Sequence, residues 1–187
     1  MSPRILVLAQ RYQEGDRLVR EAQPVLRDLA VAVHASAHLG VLVGRDLIVA
    51  AKEPSPGRIQ VTTRVGGRMV LHASALGKII LAGQPESQCE SLLDLPLTRY
   101  TKRTITDLSK LRRTLQEIRQ TGYAIEVEEE DVGVGCIAAP VRDAAGRWIA
   151  AISVAGPIQG TPFRLDVAHC QCVREKAEEL SRCIGAT

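Results

Sequence analysis

The sequence predicts an α+β fold in which helices pack on a curved antiparallel sheet. Three observations carry that expectation. Residues 123–157, YAIEVEEEDVGVGCIAAPVRDAAGRWIAAISVAGP, hold three extended segments in succession. Two further strand-like runs, 38–43 and 46–51, are separated only by Gly44-Arg45, the length of a tight hairpin. Segments with helical spacing stand before, between and after these strand groups rather than alternating with single strands. The order is therefore helix, strands, helices, strands, helix.

Residues 1–16 show no clear period, with Ile5, Leu6 and Leu8 as possible packing residues, and are read as a linker segment ahead of a domain over 17–187. Asp16 is placed to cap a helix whose apolar residues, Leu18, Ala22, Val25, Leu26, Leu29 and Val33, recur three and four apart. Pro24 either kinks this helix or opens a new one. After the first hairpin, residues 53–57 contain two prolines and a glycine and must be loop. Residues 59–65 alternate again and predict another strand, ended by Gly66-Gly67.

LHASALGKIILAG (71–83) predicts a short helix, apolar almost all round, with Lys78 as its only charge. It begins near residues 72–74, so its free N–H groups fall over Ala73 to Leu76. Gly77 inside it costs ~1 kcal/mol relative to Ala and signals the close approach of another backbone. A second short helix is expected over 86–93. The next, over 108–120, has Thr106 or Asp107 as cap, Leu108, Leu111, Leu115 and Ile118 as stripe, and Gly122 as terminator.

Residues 134–141 and 148–154 are apolar on both faces and read as buried strands, joined through a turn in which Gly146 is free to take positive φ. The strand before them alternates, with Tyr123, Ile125 and Val127 on one side and Ala124, Glu126 and Glu128 on the other. Thr161-Pro162 has the form of a cap-plus-proline helix start, and the last helix buries Val173, Ala177, Leu180 and Ile184 before stopping at Gly185.

The whole chain has 187 residues, 45% hydrophobic and 24% charged, enough for one well-buried globular domain. A net charge of +3, dispersed along the chain, argues against a nucleic-acid surface. Aromatic residues are only 3%, so stacking of bases or sugars is not the main work of the chain. No apolar run approaches the ~20 residues of a membrane span, and no signal peptide is apparent. The five cysteines are an odd number and read as reduced thiols in a cytoplasmic protein. His169, Cys170, Cys172 and Cys183 lack the paired spacing of a zinc knuckle, so no metal or other cofactor is expected.

Inside the apolar block over 123–157, the few polar groups are Cys136, Ser153 and Glu126. A mostly apolar wall with a few convergent polar groups is what a small-molecule pocket requires. The plainer alternative is a core hairpin with one buried thiol and one serine bonded to backbone. Glu126 can equally sit on the solvent face of its strand, since Glu128, Glu129, Glu130 and Asp131 follow it. Arg64 and Arg68 flank the glycine pair and could attract an anion, but a solvated loop is the default.

Two stretches, LHASALGKIILA (71–82) and GYAIEVEEEDVGVGCIAAPVRDAAGRWIAAISVAGP (122–157), together with Thr101, Thr104, Ile105 and Thr106 between them, resemble the effector-binding domain of IclR-type bacterial transcriptional regulators. The resemblance runs through nearly the whole chain. It implies a GAF-like fold with a six-stranded antiparallel sheet, a homodimer or homotetramer, and DNA contact only through a winged helix-turn-helix that this chain lacks. It also implies a small organic acid as effector, held by backbone amides that fall on Ala75 and Leu76. The pocket cysteine matches Cys136. Of two serines on the last strand, the first matches Ser153 and the second position holds Ala155. The acidic pocket residue, commonly Asp, corresponds to Glu126, one methylene longer.

Three functions compete at this level. A ligand sensor uses these residues to bind an acid carrying a hydroxy, keto or amino group, since Glu126 needs a donor at the ligand's far end. An enzyme would use Cys136 as nucleophile with His72 as base, but no third orienting group supports the pair, and none of the residues is expected to be catalytic. A pure self-association module would have its cavity filled by side chains.

Overall fold

A computed structural model of the chain describes residues 16–58 and 61–185. Except for Asp16, the expected linker over 1–16 lies outside the described residues. Asp16 caps helix α1 (Arg17–Val33), its carboxylate accepting the Val19 N–H at 3.1 Å, and the helix runs on through Pro24 without a second start. Strands β1 (Ser36–Val43) and β2 (Asp46–Glu53) follow, turned at Gly44 with φ 63°. A two-residue strand β3 (Arg68–Met69) pairs with β2. Helix α2 (Ala75–Gly83) leads to the short helix α3 (Glu86–Cys89), which tightens into a 3-10 turn over Glu90–Leu92. Helix α4 (Leu108–Thr121) is capped by Asp107 and ends at Gly122 in the left-handed region, as its sequence requires. Strands β4 (Ala124–Val127), β5 (Val134–Arg142) and β6 (Trp148–Pro157) precede the last helix, α5 (Val167–Gly185).

All the strands join one six-stranded antiparallel sheet in the order β3-β2-β1-β6-β5-β4. The expected architecture is therefore the observed one. Two long strands from opposite ends of the chain, β1 and β6, meet at its centre, and β5 lies beside β6. Alternation sends Ala37, Leu39, Ile137, Ala139, Ile152 and Val154 to one face, where α1 and α5 cover them. The opposite face carries Ala138 and Ala151 against Leu76, Ile79 and Ile80 of α2, with Leu111, Leu115 and Ile118 of α4 behind. Gly77 allows this packing. A Cβ there would collide with Leu71 and lie 2.5 Å from the Val70 carbonyl oxygen.

Two expectations fail. Residues 61–65 of the run expected as a strand are loop, and residues 59–60 lie outside the described residues. Lys52 Nζ donates to the carbonyls of Val61 and Thr63, both at 3.0 Å, so those carbonyls are satisfied by a side chain in place of a ladder. The backbone of Val49 pairs instead with Gly66 and Gly67. The second failure is Thr161-Pro162, which starts no helix. The Thr161 hydroxyl bonds back to the Pro157 carbonyl at 3.0 Å, Phe163 is fully buried against Gly156, and α5 begins only at Val167. Asp166 takes the capping role by accepting the His169 N–H at 2.9 Å.

Candidate functional site

The sheet register assembles the site. Glu126 on β4 lies beside Cys136 on β5, and Cys136 lies beside Ala155 on β6. Two residues along, Ser153 lies between Ala138 of β5 and His38 of β1. These side chains share the face opposite α1 and α5. Above them, Ser74 caps α2, its hydroxyl accepting the Gly77 N–H at 3.0 Å. That bond satisfies the third amide of the helix. The N–H groups of Ala75 and Leu76 have no partner among the described residues.

These parts enclose a cavity of ≈ 730 Å³, open at one side. All six residues singled out from the sequence, Ala75, Leu76, Glu126, Cys136, Ser153 and Ala155, line it. The self-association alternative required a filled interior, and the cavity is not filled. Ser153 is only 3% exposed and lines the cavity; the buried side-chain atom left without a partner among the described residues is Glu129 Oε2.

Glu126 is buried, not on the solvent face, and accepts the Glu129 N–H. Burial pushes its carboxyl above the usual range, partly offset by that amide and by the Cys136 thiol. Burial raises the Cys136 thiol far more, and the Glu126 carboxylate beside it adds to the effect. Such a thiol stays protonated and is a poor nucleophile. The imagined base is elsewhere engaged: His72 Nε2 bonds the Thr98 carbonyl oxygen at 2.8 Å, and its ring packs against Tyr100. Cys136 and His72 do not form a catalytic pair.

Sequence reasoning missed several lining residues. His38 is 2% exposed and bonds Thr63 Oγ1 at 2.6 Å, and burial, with nearby Lys52, lowers its pKa to about 3. It is a neutral imidazole at physiological pH. Its signal was visible as the one imidazole in SAHLGVLV, a strand apolar apart from it and Ser36. Glu130 and Asp131 also line the cavity, although the acidic run read as solvated. Glu130 is raised to about 7, first by burial and then by Asp131 and Glu126. Arg64 and Arg68 stand on the cavity wall as well, Arg68 paired with Asp46 at 3.0 Å. No group of three or more His, Cys, Asp or Glu among the described residues is arranged to hold a metal ion.

Behind the site, Lys78 is 1% exposed and forms an ion pair with Glu129. The hydroxyls of Thr101 and Thr104 donate to the carbonyls of Glu128 and Glu129. The turn after β4 is thus held from α2 and from the loop before α4.

The family described as bacterial transcriptional regulator IclR C-terminal matches residues 10–182. The HTH-type transcriptional regulator BhcR of Paracoccus denitrificans is 39% identical over 172 residues, covering 91% of this chain and 61% of its own length. The HTH-type transcriptional repressor AllR of Klebsiella pneumoniae is 34% identical, over 87% of this chain and 60% of its own length. The chain spans about three fifths of these two relatives. Among solved structures, an IclR homolog from Microbacterium hydrocarbonoxydans complexed with 4-hydroxybenzoate superposes with a TM-score of 0.86 at 28% identity, covering 100% of this chain and 76% of that one.

Proposed function

Because this chain belongs to the bacterial transcriptional regulator IclR C-terminal family, we propose that its cavity binds a small organic acid and reports that binding to a DNA-binding domain of a longer regulator. One observation carries the reading: the unpartnered amides of Ala75 and Leu76 line the same cavity as Ser153, a hydroxyl in an apolar strand. A helix N-terminus offers donors and about half a positive charge, which suits a carboxylate without an arginine or lysine. The complex of the Microbacterium homolog with 4-hydroxybenzoate, itself a hydroxy acid, supports the same class of ligand here.

Binding controls a second site only if the effector binds two conformations unequally. In this proposal the readout is the arrangement of paired subunits, as a homodimer or homotetramer, and DNA is contacted through the other domain. Large apolar side chains left exposed, such as Val132 at 78% and Val167 at 82%, support self-association. In this reading the domain is a binder, supported by the Cys136 thiol, which is held protonated, and by His38 in the cavity, a buried neutral ring. Working beside DNA, such a regulator belongs in the bacterial cytoplasm. No helix among the described residues is long and apolar enough to cross a membrane.

The test is a thermal-shift screen of metabolite carboxylates followed by calorimetric titration of the best ligand. A charge-assisted hydrogen bond contributes ~1.5–3 kcal/mol, so Ser153→Ala is expected to weaken binding roughly tenfold or more. Unchanged affinity in that variant puts the carboxylate elsewhere.

A further inference from the structure

The cavity is chemically lopsided. Around α2 and Ser153 it presents unused donors. Around the β4–β5 turn it presents three carboxylates, Glu126, Glu130 and Asp131. Among the described residues none of these three forms an ion pair. The groups facing them from each neighbouring element can be named. From β1 comes His38, held neutral by burial. From β2 comes Lys52, whose ammonium is occupied by the Val61 and Thr63 carbonyls. From β3 comes Arg68, paired with Asp46, and from the preceding loop Arg64. From β5 comes the Cys136 thiol, and from α2 comes Lys78, whose partner is Glu129. The Val70 N–H is the backbone donor to Glu130.

We infer that the ligand carries an ammonium group opposite its carboxylate, because Glu126, Glu130 and Asp131 line the same cavity as the free amides of Ala75 and Leu76. This rests on the carboxylate-binding reading above and narrows it to amino-substituted acids. A hydroxyl at that end satisfies one acceptor and leaves the like charges facing each other. A methyl end brings neither a donor nor a positive charge to Glu126 and Glu130 in a half-enclosed space. A second carboxylate adds a fourth like charge. An ammonium group brings three donors and the missing charge together. A metal ion is the other way to meet such a demand, but the three carboxylates are not arranged to hold one. The raised Glu130 reports the same frustration, since its neighbours Asp131 and Glu126 both push it up toward about 7. A bound cation reverses that push, so binding near neutral pH releases protons.

The experiment is calorimetric titration of the 187-residue chain at pH 7.5 with matched acids. The pairs are 4-aminobutanoate with pentanoate and 5-aminopentanoate with hexanoate, and glutarate is added as a diacid. Each amino acid is expected to bind at least tenfold tighter than its methyl counterpart, with glutarate weakest of all. Heats measured in buffers of different ionisation enthalpy should show proton release for the amino acids. Glu130→Gln should shrink the amino preference several-fold, and Asp131→Asn, at the exposed rim, gives a second reading if the first variant folds poorly. Equal binding within each pair, or a preference that survives both substitutions, overturns the inference. If pentanoate then still loses affinity in Ser153→Ala, the carboxylate site stands without it. If no member of the panel binds, both readings fall.

Discussion

His38 and Glu130 are two titratable groups in one cavity whose shifts have opposite consequences. His38 is held neutral with a pKa lowered to about 3 from 6.5, so its contribution to stability is present above pH 6.5 and is lost as pH falls toward 3. Glu130 is raised to about 7 from 4.5, so the folded state binds the extra proton between those values. Stability from that source is full below pH 4.5 and is lost as pH rises through 7. Unfolding followed from pH 5 to 8 is therefore expected to show Glu130→Gln gaining on the parent as pH rises. The gain has an upper bound of about 3 kcal/mol. His38→Gln should flatten the loss on the acid side. Parallel curves for Glu130→Gln and parent would mean that this carboxyl is ordinary.

At the scale of the element, α2 is the piece on which the site depends. Its first turn supplies the free amides, and its back holds Gly77 against the Leu71 backbone and Lys78 against Glu129. Gly77→Ala gains ~1 kcal/mol of helix propensity but forces a methyl into the neighbouring backbone, an overpacking cost of ~1–3 kcal/mol or more. A lower melting temperature and weaker acid binding are expected together, because the helix must move away from the cavity. A variant as stable as the parent would show that α2 tolerates the shift. The Lys78–Glu129 pair follows the logic of buried ions. Lys78→Met alone leaves Glu129 buried without a partner and is expected to cost ~3–5 kcal/mol, read as a fall in the chemical-denaturation midpoint. Lys78→Met with Glu129→Leu should recover much of that loss. If the double variant is as unstable as the single one, the pair holds the turn in place by geometry more than by charge.

At the scale of the molecule, the sheet places residues from both ends of the chain in one cavity, while α1 and α5 cover the other face. Large apolar side chains remain outside this arrangement, Val132 and Val167 most of all. Two-fold pairing of subunits is the usual way to cover such surface. Light scattering at micromolar concentration is expected to give at least a dimer, and Val132→Asp or Val167→Asp should dissociate it if that residue sits in the interface. A monomeric parent would remove self-association from the proposal for this chain.

Much of this was legible along the chain, because it depends on local periodicity and a few marked positions. Short runs apolar on both faces defined β5 and β6, three-and-four spacing defined α1 and α4, and Gly77 announced a close backbone. The cavity lining at Cys136 and Ser153 followed from polar residues in apolar strands, and that at Ala155 from the family resemblance. Alternation alone misleads at β4, where Ile125 is the exposed residue and Glu126 the buried one, since the cavity inverts the usual preference. The strand expected over 59–65 became loop because Lys52, distant in sequence, satisfied its carbonyls. What the chain alone determined was the set of elements and which faces are apolar, both matters of neighbouring residues. What only the tertiary structure decided was that His38, Glu130 and Asp131 share a cavity with Ser153, because strand register and the path of a turn bring them together across the sheet.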